Sequence, residues 1–252
     1  MLDRSSSLRM FFEVGCVPHL VSSEEEYGDF SKAQQRWYFI RDLQRWEATS
    51  GAFAFDKIDG VSEDEAEKVL REAAPVEYPG AVDALFSAAA ERDDKSRWGE
   101  KMPEYVFHVE WLASAFPKSH IVHIIRDPRD VAASIRRAGW KPSIGDAAAF
   151  WKKRVSAARS GGRAIEGDRY HEVRYESLVQ NPAETLQRVA RRIDVQFESE
   201  MTSTHQSGMD AIPEAHQGLE HFSLLDRPVD PSRAYAWKRE LSRSEIADVE
   251  RV

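Results

Sequence analysis

An apolar run that passes directly into a helix start constrains this chain more than any other feature. The residues at 121–125 (Ile-Val-His-Ile-Ile) favour an extended backbone, and so short a run predicts a buried strand. Asp127 is a good N-cap and Pro128 suits the first helical position, so we expect a helix to begin at once. In open α/β sheets, ligands bind at such a junction, beyond the carboxyl end of the strand.

The same junction carries groups that suit an anion. Arg126 stands between the strand and the free N–H groups of the helix start, a position well placed to hold a phosphate. Ser134 follows about two helical turns later, roughly 9–10 Å along the axis. Because an arginine side chain can reach over that span, the sequence predicts that Arg126 and Ser134 share one anion. The other interpretation is a solvated, salt-bridged helix start.

Composition narrows the class of protein. The chain has 252 residues, of which 42% are hydrophobic, enough for a single α/β domain over 1–252. A net charge of −8 argues against general nucleic-acid binding. The single cysteine, Cys16, excludes an intramolecular disulfide, and no apolar run suits a membrane span or a signal peptide. We therefore expect a soluble cytoplasmic protein of undetermined oligomeric state, and the scattered histidines predict no metal site.

Strand and helix patterns alternate along the chain. Strands are predicted at 8–13, 97–101, 121–125 and 170–175. Helices are predicted over 29–49, from 62 with a capping box, and over 79–92, 105–115, 128–137, 145–159 and 182–192. Residues 160–163 (Ser-Gly-Gly-Arg) are interpreted as a cap and turn, and 201–232 as a long loop or lid. This alternation predicts a parallel sheet with helices on both faces.

Three segments between residues 98 and 192 resemble, in their order along the chain, segments of the sulfotransferases that use 3′-phosphoadenosine 5′-phosphosulfate (PAPS). The run Arg-Asp-Pro-Arg-Asp-Val from Arg126, with Ser134 eight positions later, resembles their 3′-phosphate-binding segment. Lys101 lies in a segment similar to their lysine-proline element, and Tyr175 in one similar to their strand-Tyr-Glu-x-Leu signature. The resemblance implies a three-layer, nucleotide-kinase-like (P-loop-NTPase-like) parallel sheet. It also implies that Lys101 stabilises the leaving phosphate and that Tyr175 lies near the nucleotide.

Two segments nearer the ends add weaker support. Residues 1–13 resemble the segment that follows the phosphate loop in protein-tyrosine and related sulfotransferases, which puts Glu13 where those enzymes keep the acceptor's base. Residues 227–242 are similar to the basic loop and tryptophan that fold over the nucleotide. The resemblance makes four residues there candidates for its phosphates: Arg227, Ser232, Arg233 and Lys238.

One departure from the family matters. The 5′-phosphosulfate loop, Pro-Arg/Lys-Ser-Gly-Thr-Thr after a first strand, does not occur in the sequence. We therefore expect a sequence incomplete at both ends, or one with a mis-assigned start, that lacks the first strand and is catalytically feeble.

The function implied is sulfuryl transfer from PAPS to a hydroxyl or amine of a small-molecule or peptide acceptor. A non-catalytic module that binds adenosine 3′,5′-bisphosphate, or another partner, is the first alternative. A nucleotide kinase is the second, against which the missing Gly-Lys-Ser/Thr loop counts.

Overall fold

A computed structural model of the chain describes residues 1–12, 14, 17, 27–50, 61–203 and 227–252, without the side chains of 45–50. The described residues divide into two compact units: Met1–Tyr105 with Ser114–Phe116, and Val106–Ala113 with Pro117–Val252. No helix within these ranges is both long enough and apolar enough to cross a membrane.

The first unit is built around one parallel strand pair. Strand β1 (Leu8–Phe12) lies beside β2 (Arg97–Lys101), with Leu8 opposite Arg97 and Phe12 opposite Lys101. Among the residues that the structure describes between the two strands lie the helices α1 (Ala33–Ser50), α2 (Glu63–Ala73) and α3 (Tyr78–Arg92). Helix α2 begins where the sequence predicts, because the Ser62 side chain accepts a hydrogen bond from the Glu65 N–H.

Aromatic rings fill the core of this unit. Four of them are almost fully buried and contact one another: Tyr27, Phe30, Phe39 and Tyr78. The Tyr78 hydroxyl donates to the Val17 carbonyl at 2.9 Å, so its polar end is satisfied inside the core.

The second unit holds the predicted strand-to-helix junction. Strand β3 (Ile121–Ile125) lies parallel to β4 (Tyr170–Arg174), with Ile121 opposite Tyr170 and Ile125 opposite Arg174. The helices begin with α4 (Val109–Ala115), most of which belongs to this unit. The later ones are α5 (Pro128–Arg137), α6 (Ile144–Arg163), α7 (Tyr175–Gln180), α8 (Pro182–Arg192), α9 (Trp237–Glu240) and α10 (Arg243–Arg251).

Helices α5, α6 and α10 share one apolar core. Small alanines on α5 and α6 let the two helices approach closely, and residues near the end of the chain close the cluster. Its buried members are Ala132, Ala133, Ile135, Ile144, Ala147, Ala148, Leu241 and Val249. Trp237 packs against this cluster, which ties the last part of the chain to the helix that follows β3.

The predicted parallel α/β arrangement is confirmed, and several details are wrong. The strand expected over 170–175 ends at Arg174, and Tyr175 is instead the first residue of α7. The helix expected over 105–115 is a 3₁₀ turn (Pro103–Phe107) followed by the shorter α4. The cap and turn expected at 160–163 is instead the last turn of α6, which continues through Arg163. The two glycines leave room for close neighbours of the helix: a Cβ at Gly161 would lie 2.9 Å from the Val109 Cβ, and one at Gly162 would lie 2.7 Å from the Tyr170 ring.

We predict that Gly162→Ala destabilises the protein, although alanine is the better helix former. The added methyl group would overlap the Tyr170 ring, whose hydroxyl is held by a 2.7 Å hydrogen bond with His123 Nδ1. Overpacking of this kind costs about 1–3 kcal/mol in the free energy of unfolding, measured by urea denaturation. Gly145→Ala on the same helix is the matched control, because nothing lies closer than 3.8 Å to its added Cβ. Equal effects of the two substitutions would contradict the packing argument.

A pair of histidines lies at the amino ends of β3 and β4. His120 Nδ1 and His171 Nε2 are 3.1 Å apart, and His171 is only 1% exposed. Burial lowers the pKa of His171 below its usual value, the nearby charges of His120 and Arg192 lower it further, and Asp168 opposes them. The folded protein therefore favours the neutral imidazole at this position.

This pair makes stability depend on pH. In the unfolded chain His171 has an ordinary pKa of about 6.5, so below that pH the unfolded state takes up a proton that the folded state resists. We expect the contribution of His171 to the free energy of unfolding to be constant above about pH 6.5 and to fall as the pH drops through the lowered pKa. His171→Gln, which keeps a hydrogen-bonding group toward His120, should flatten that decline in urea titrations between pH 7.5 and 5.5. A slope identical to that of the unmutated chain would count against His171 as its source.

Candidate functional site

The carboxyl edge of the β3–β4 pair brings two predicted residues together. Because Ile125 lies opposite Arg174, the next residues, Arg126 and Tyr175, leave the two strands side by side. The Arg126 guanidinium carbon lies 4.6 Å from the centre of the Tyr175 ring, which is a cation–π contact. The Arg126 backbone carbonyl accepts a 3.0 Å hydrogen bond from the Trp151 indole on α6, which fixes the main chain at the junction.

Arg126 also contacts the last part of the chain. Its Nη2 donates to the Arg233 carbonyl at 2.9 Å. Its Nε is buried and donates to no acceptor within the described ranges; the nearest acid, Asp130, has Oδ2 at 3.9 Å. Carboxylates and phosphates are the groups that an arginine fork binds best. The geometry thus leaves Arg126 donor capacity for an anion while its side chain is held in place.

Asp130 is the most buried acid at the junction. It lies on α5 and is 2% exposed. Its two oxygens accept 2.8 Å hydrogen bonds from the backbone N–H groups of Tyr235 and Trp237. A buried carboxylate is tolerated only when its lone pairs are satisfied, and here two main-chain donors satisfy it. Asp130 therefore joins α5 to the segment that also supplies the Arg233 carbonyl.

Asp127 and Arg129 organise the start of α5. Asp127 caps the helix by accepting from the Arg129 N–H, and it also accepts from the Arg129 guanidinium at 2.7 and 2.9 Å. Burial raises the pKa of the Asp127 carboxyl, but these hydrogen bonds outweigh it, and the pKa lies below its usual value. The Arg129 guanidinium carbon lies 3.8 Å from the centre of the Trp237 ring, and its Nη1 is 3.1 Å from Glu250.

Glu176 connects the two helix starts directly. It is 4% exposed and accepts a 2.7 Å hydrogen bond from the Asp127 N–H. This N–H precedes the first turn of α5, where backbone donors lack partners within the helix. Since Glu176 is the second residue of α7, the bond fixes the spacing between α5 and α7 at the carboxyl edge.

A polar cavity of about 430 Å³ opens beside these residues. Residues from the start of α5, from the end of β4 and α7, and from the turn at Tyr235 line it. The lining residues are Asp127, Pro128, Arg129, Arg174, Glu176, Ser177, Gln180 and Tyr235. The two acids and the two arginines in this lining balance in charge, so the cavity suits a polar ligand portion without a net charge of its own.

The structure distributes the other predicted site residues as follows. Ser134 is half-buried on α5, and Arg227 is exposed. The Ser232 hydroxyl is exposed and donates to Asp230 at 2.8 Å, so it faces a carboxylate within its own turn. Lys238 lies near two rings, with Nζ 5.2 Å from the centre of the Tyr235 ring and 5.8 Å from that of Trp237.

The two residues expected to act on the reacting groups belong to the sequence of the first unit. Lys101 is exposed at the end of β2, opposite Phe12. Glu13 follows Phe12 in the sequence and lies outside the described residues. Within the described part of the chain, no group of three or more histidine, cysteine or acidic side chains is arranged to hold a metal ion.

Asp127 caps α5 as the sequence predicts, but the roles of Asp130 and Glu176 at the junction were not predicted. Asp130 stands four residues after Arg126, and this i, i+4 spacing was the one local signal. Its partners, Tyr235 and Trp237, lie 105 and 107 residues further on, beyond the reach of any local pattern. Glu176 had a partial signal as an acid in the first turn of a helix.

Comparisons with known proteins agree with this architecture. A family model described as "Sulfotransferase family" matches residues 1–199. The structure is similar to the sulfotransferase domain of the olefin synthase from Synechococcus PCC 7002, with a TM-score of 0.55 at 18% identity over 83% of this chain and 74% of that one. It is also similar to the sulfotransferase domain from the curacin biosynthetic pathway, with a TM-score of 0.50 at 18% identity over 83% and 77%. A search of curated protein sequences gave no significant match.

Proposed function

The chain belongs to the sulfotransferase family, and we propose that it transfers a sulfuryl group from PAPS to a hydroxyl or amine of a small-molecule or peptide acceptor. The observation that carries this proposal is the position of Arg126. Its guanidinium lies at the carboxyl edge of a parallel strand pair, between the Tyr175 ring and the Arg233 carbonyl, with donor capacity remaining for an anion.

In this proposal, Arg126 and Ser134 bind the 3′-phosphate of the nucleotide. Tyr175 lies beside it, and the charge-balanced cavity at α5 and α7 takes an uncharged part of the nucleotide. Arg227, Ser232, Arg233 and Lys238 are assigned to the phosphates on the family resemblance. The Ser232 hydroxyl would exchange its bond to Asp230 for one to the ligand.

The reaction is a direct displacement at sulfur. The acceptor oxygen or nitrogen forms a bond to sulfur while the bond from sulfur to the 5′-phosphate oxygen breaks, and adenosine 3′,5′-bisphosphate leaves. Lys101 stabilises the negative charge that grows on the leaving phosphate, and Glu13 takes the acceptor's proton. Both roles rest on the family resemblance. No step requires a metal, because positioning and electrostatic stabilisation suffice.

We predict that the chain binds adenosine 3′,5′-bisphosphate at least about tenfold more tightly than adenosine 5′-monophosphate, without magnesium. One charge-assisted hydrogen bond pair to the 3′-phosphate accounts for a preference of that size. Arg126→Ala should abolish the preference and leave the affinity for the monophosphate nearly unchanged. Isothermal titration calorimetry on both nucleotides measures this directly.

Arg137→Ala is the matched control for that experiment. Arg137 ends the same helix but pairs with Glu240 at the surface, so its loss should alter neither affinity. An unmutated chain that binds the two nucleotides equally would refute the 3′-phosphate site. Binding that depends on magnesium and favours nucleoside triphosphates would support the kinase alternative.

An assay of turnover distinguishes an enzyme from a non-catalytic binding module. With ³⁵S-labelled PAPS and a panel of phenols, alcohols, amines and peptides, we expect label transfer to at least one acceptor. Lys101→Ala should reduce kcat by about 10²- to 10³-fold, the usual cost of losing a donor to developing charge, with the Kd for adenosine 3′,5′-bisphosphate changed little. Preferential binding of the bisphosphate without transfer to any acceptor would instead identify a non-catalytic nucleotide-binding module.

A further inference from the structure

The turn at Tyr235 has a backbone that its residue type disfavours. Tyr235 has φ +58°, in the left-handed region where a Cβ is crowded and glycine is preferred. Its side chain lines the cavity at α5 and α7. A non-glycine residue keeps this conformation only when its surroundings impose it, and such positions cluster at functional sites.

Asp130 supplies the contacts that impose this backbone conformation. Its Oδ2 accepts from the Tyr235 N–H and its Oδ1 from the Trp237 N–H, each at 2.8 Å. The two bonds therefore bracket the left-handed residue on both sides. Because the carboxylate is 2% exposed, water cannot readily replace either bond.

The alternative role for Asp130 is charge pairing with Arg126. That contact is much weaker in this geometry, since the Arg126 Nε lies 3.9 Å from Oδ2 and makes no hydrogen bond to it. The well-formed bonds of the carboxylate all go to the main chain of the turn. Asp130 thus acts on Arg126 mainly through the segment that it holds.

The segment that Asp130 holds also contacts Arg126, through the residue two positions before Tyr235. The Arg233 carbonyl accepts from Arg126 Nη2 at 2.9 Å. A rotation of the backbone at Tyr235 would move this carbonyl and remove its hydrogen bond to the guanidinium, while the contact with the Tyr175 ring would remain. The conformation of one strained residue is therefore coupled to the orientation of the arginine assigned to the 3′-phosphate.

We propose that Asp130 is a positioning residue: it holds the left-handed turn at Tyr235 and thereby fixes Arg126 for the 3′-phosphate of the nucleotide. The inference rests on the proposed function for its consequence in binding. The dependence of the turn on Asp130 does not rest on the proposed function, because it is argued from the two hydrogen bonds.

Other contacts keep the segment folded when Asp130 is changed. Trp237 packs on the apolar core of α5, α6 and α10, and the Arg129 guanidinium lies over its ring. We therefore expect Asp130→Asn to fold, with a changed turn rather than a detached segment. Asparagine has the same shape but directs an NH₂ group at one of the two N–H donors.

The first experiment measures the preference for adenosine 3′,5′-bisphosphate over adenosine 5′-monophosphate by calorimetry. Asp130→Asn should reduce this preference about tenfold, the effect of misplacing one charge-assisted contact, and should hardly alter the affinity for the monophosphate. Asp146→Asn is the control, because Asp146 is an exposed acid bonded to Ser143 on α6. An unchanged preference in Asp130→Asn would overturn the proposal.

A glycine in place of Tyr235 tests whether Asp130 acts through the turn. Glycine adopts a positive φ without strain, so Asp130→Asn/Tyr235→Gly should recover several-fold of the lost preference. Asp130→Asn/Tyr235→Ala also removes the ring but keeps the Cβ, and it should recover nothing. Equal behaviour of the two double variants would show that Asp130 does not act through the turn.

Hydrogen exchange separates this inference from the proposed function. In the unmutated chain the Tyr235 and Trp237 amides should be protected, in Asp130→Asn they should exchange faster, and adding Tyr235→Gly should restore protection at Trp237. These results need no ligand. If they hold while the unmutated chain shows no preference for the bisphosphate, the proposed function fails and the role of Asp130 in the turn stands. Unchanged protection in Asp130→Asn would refute the inference itself.

Discussion

The parallel register between β3 and β4 is the constraint on which the candidate site depends. Because Ile125 lies opposite Arg174, the residues that follow them leave the sheet together, and Arg126 comes to rest over the Tyr175 ring. A slip of one residue would turn every side chain of a strand to the opposite face. Val173 is buried in β4 and Ile125 in β3, so core packing forbids that slip. The geometry of the site is therefore set by the core beneath it.

Buried acids, rather than a surplus of cations, organise the junction. Asp127, Asp130 and Glu176 are each less than 10% exposed, and each accepts hydrogen bonds from main-chain N–H groups. Breaking a buried charged contact leaves its partner unsatisfied, so such networks resist piecemeal change. In a chain with a net charge of −8, the anion site that we propose relies on the orientation of one arginine instead of a broad positive field.

Local sequence patterns predicted the elements well where one signal dominated. The short apolar runs became strands, and Asp127 with Pro128 began a helix as expected. The errors occurred where tertiary contacts outweigh local preference. Gly161 and Gly162 suggested a helix end, but their missing side chains instead let Val109 and Tyr170 approach α6, and the helix continues past them. A pair of glycines has the same local appearance in both situations, so sequence alone cannot distinguish them.

The residues of the candidate site, too, could be predicted from the sequence only where their relation is local. Arg126 comes just before α5 and Ser134 lies on it, so their spacing was visible in the sequence, whereas the turn at Tyr235 was not. The family match ends at residue 199, and Tyr235 lies beyond it. The residue that joins the two parts is Asp130, inside the matched region, through bonds that span 105 and 107 residues of sequence. Changes in the unmatched segment can therefore alter the orientation of Arg126 while every matched residue stays the same.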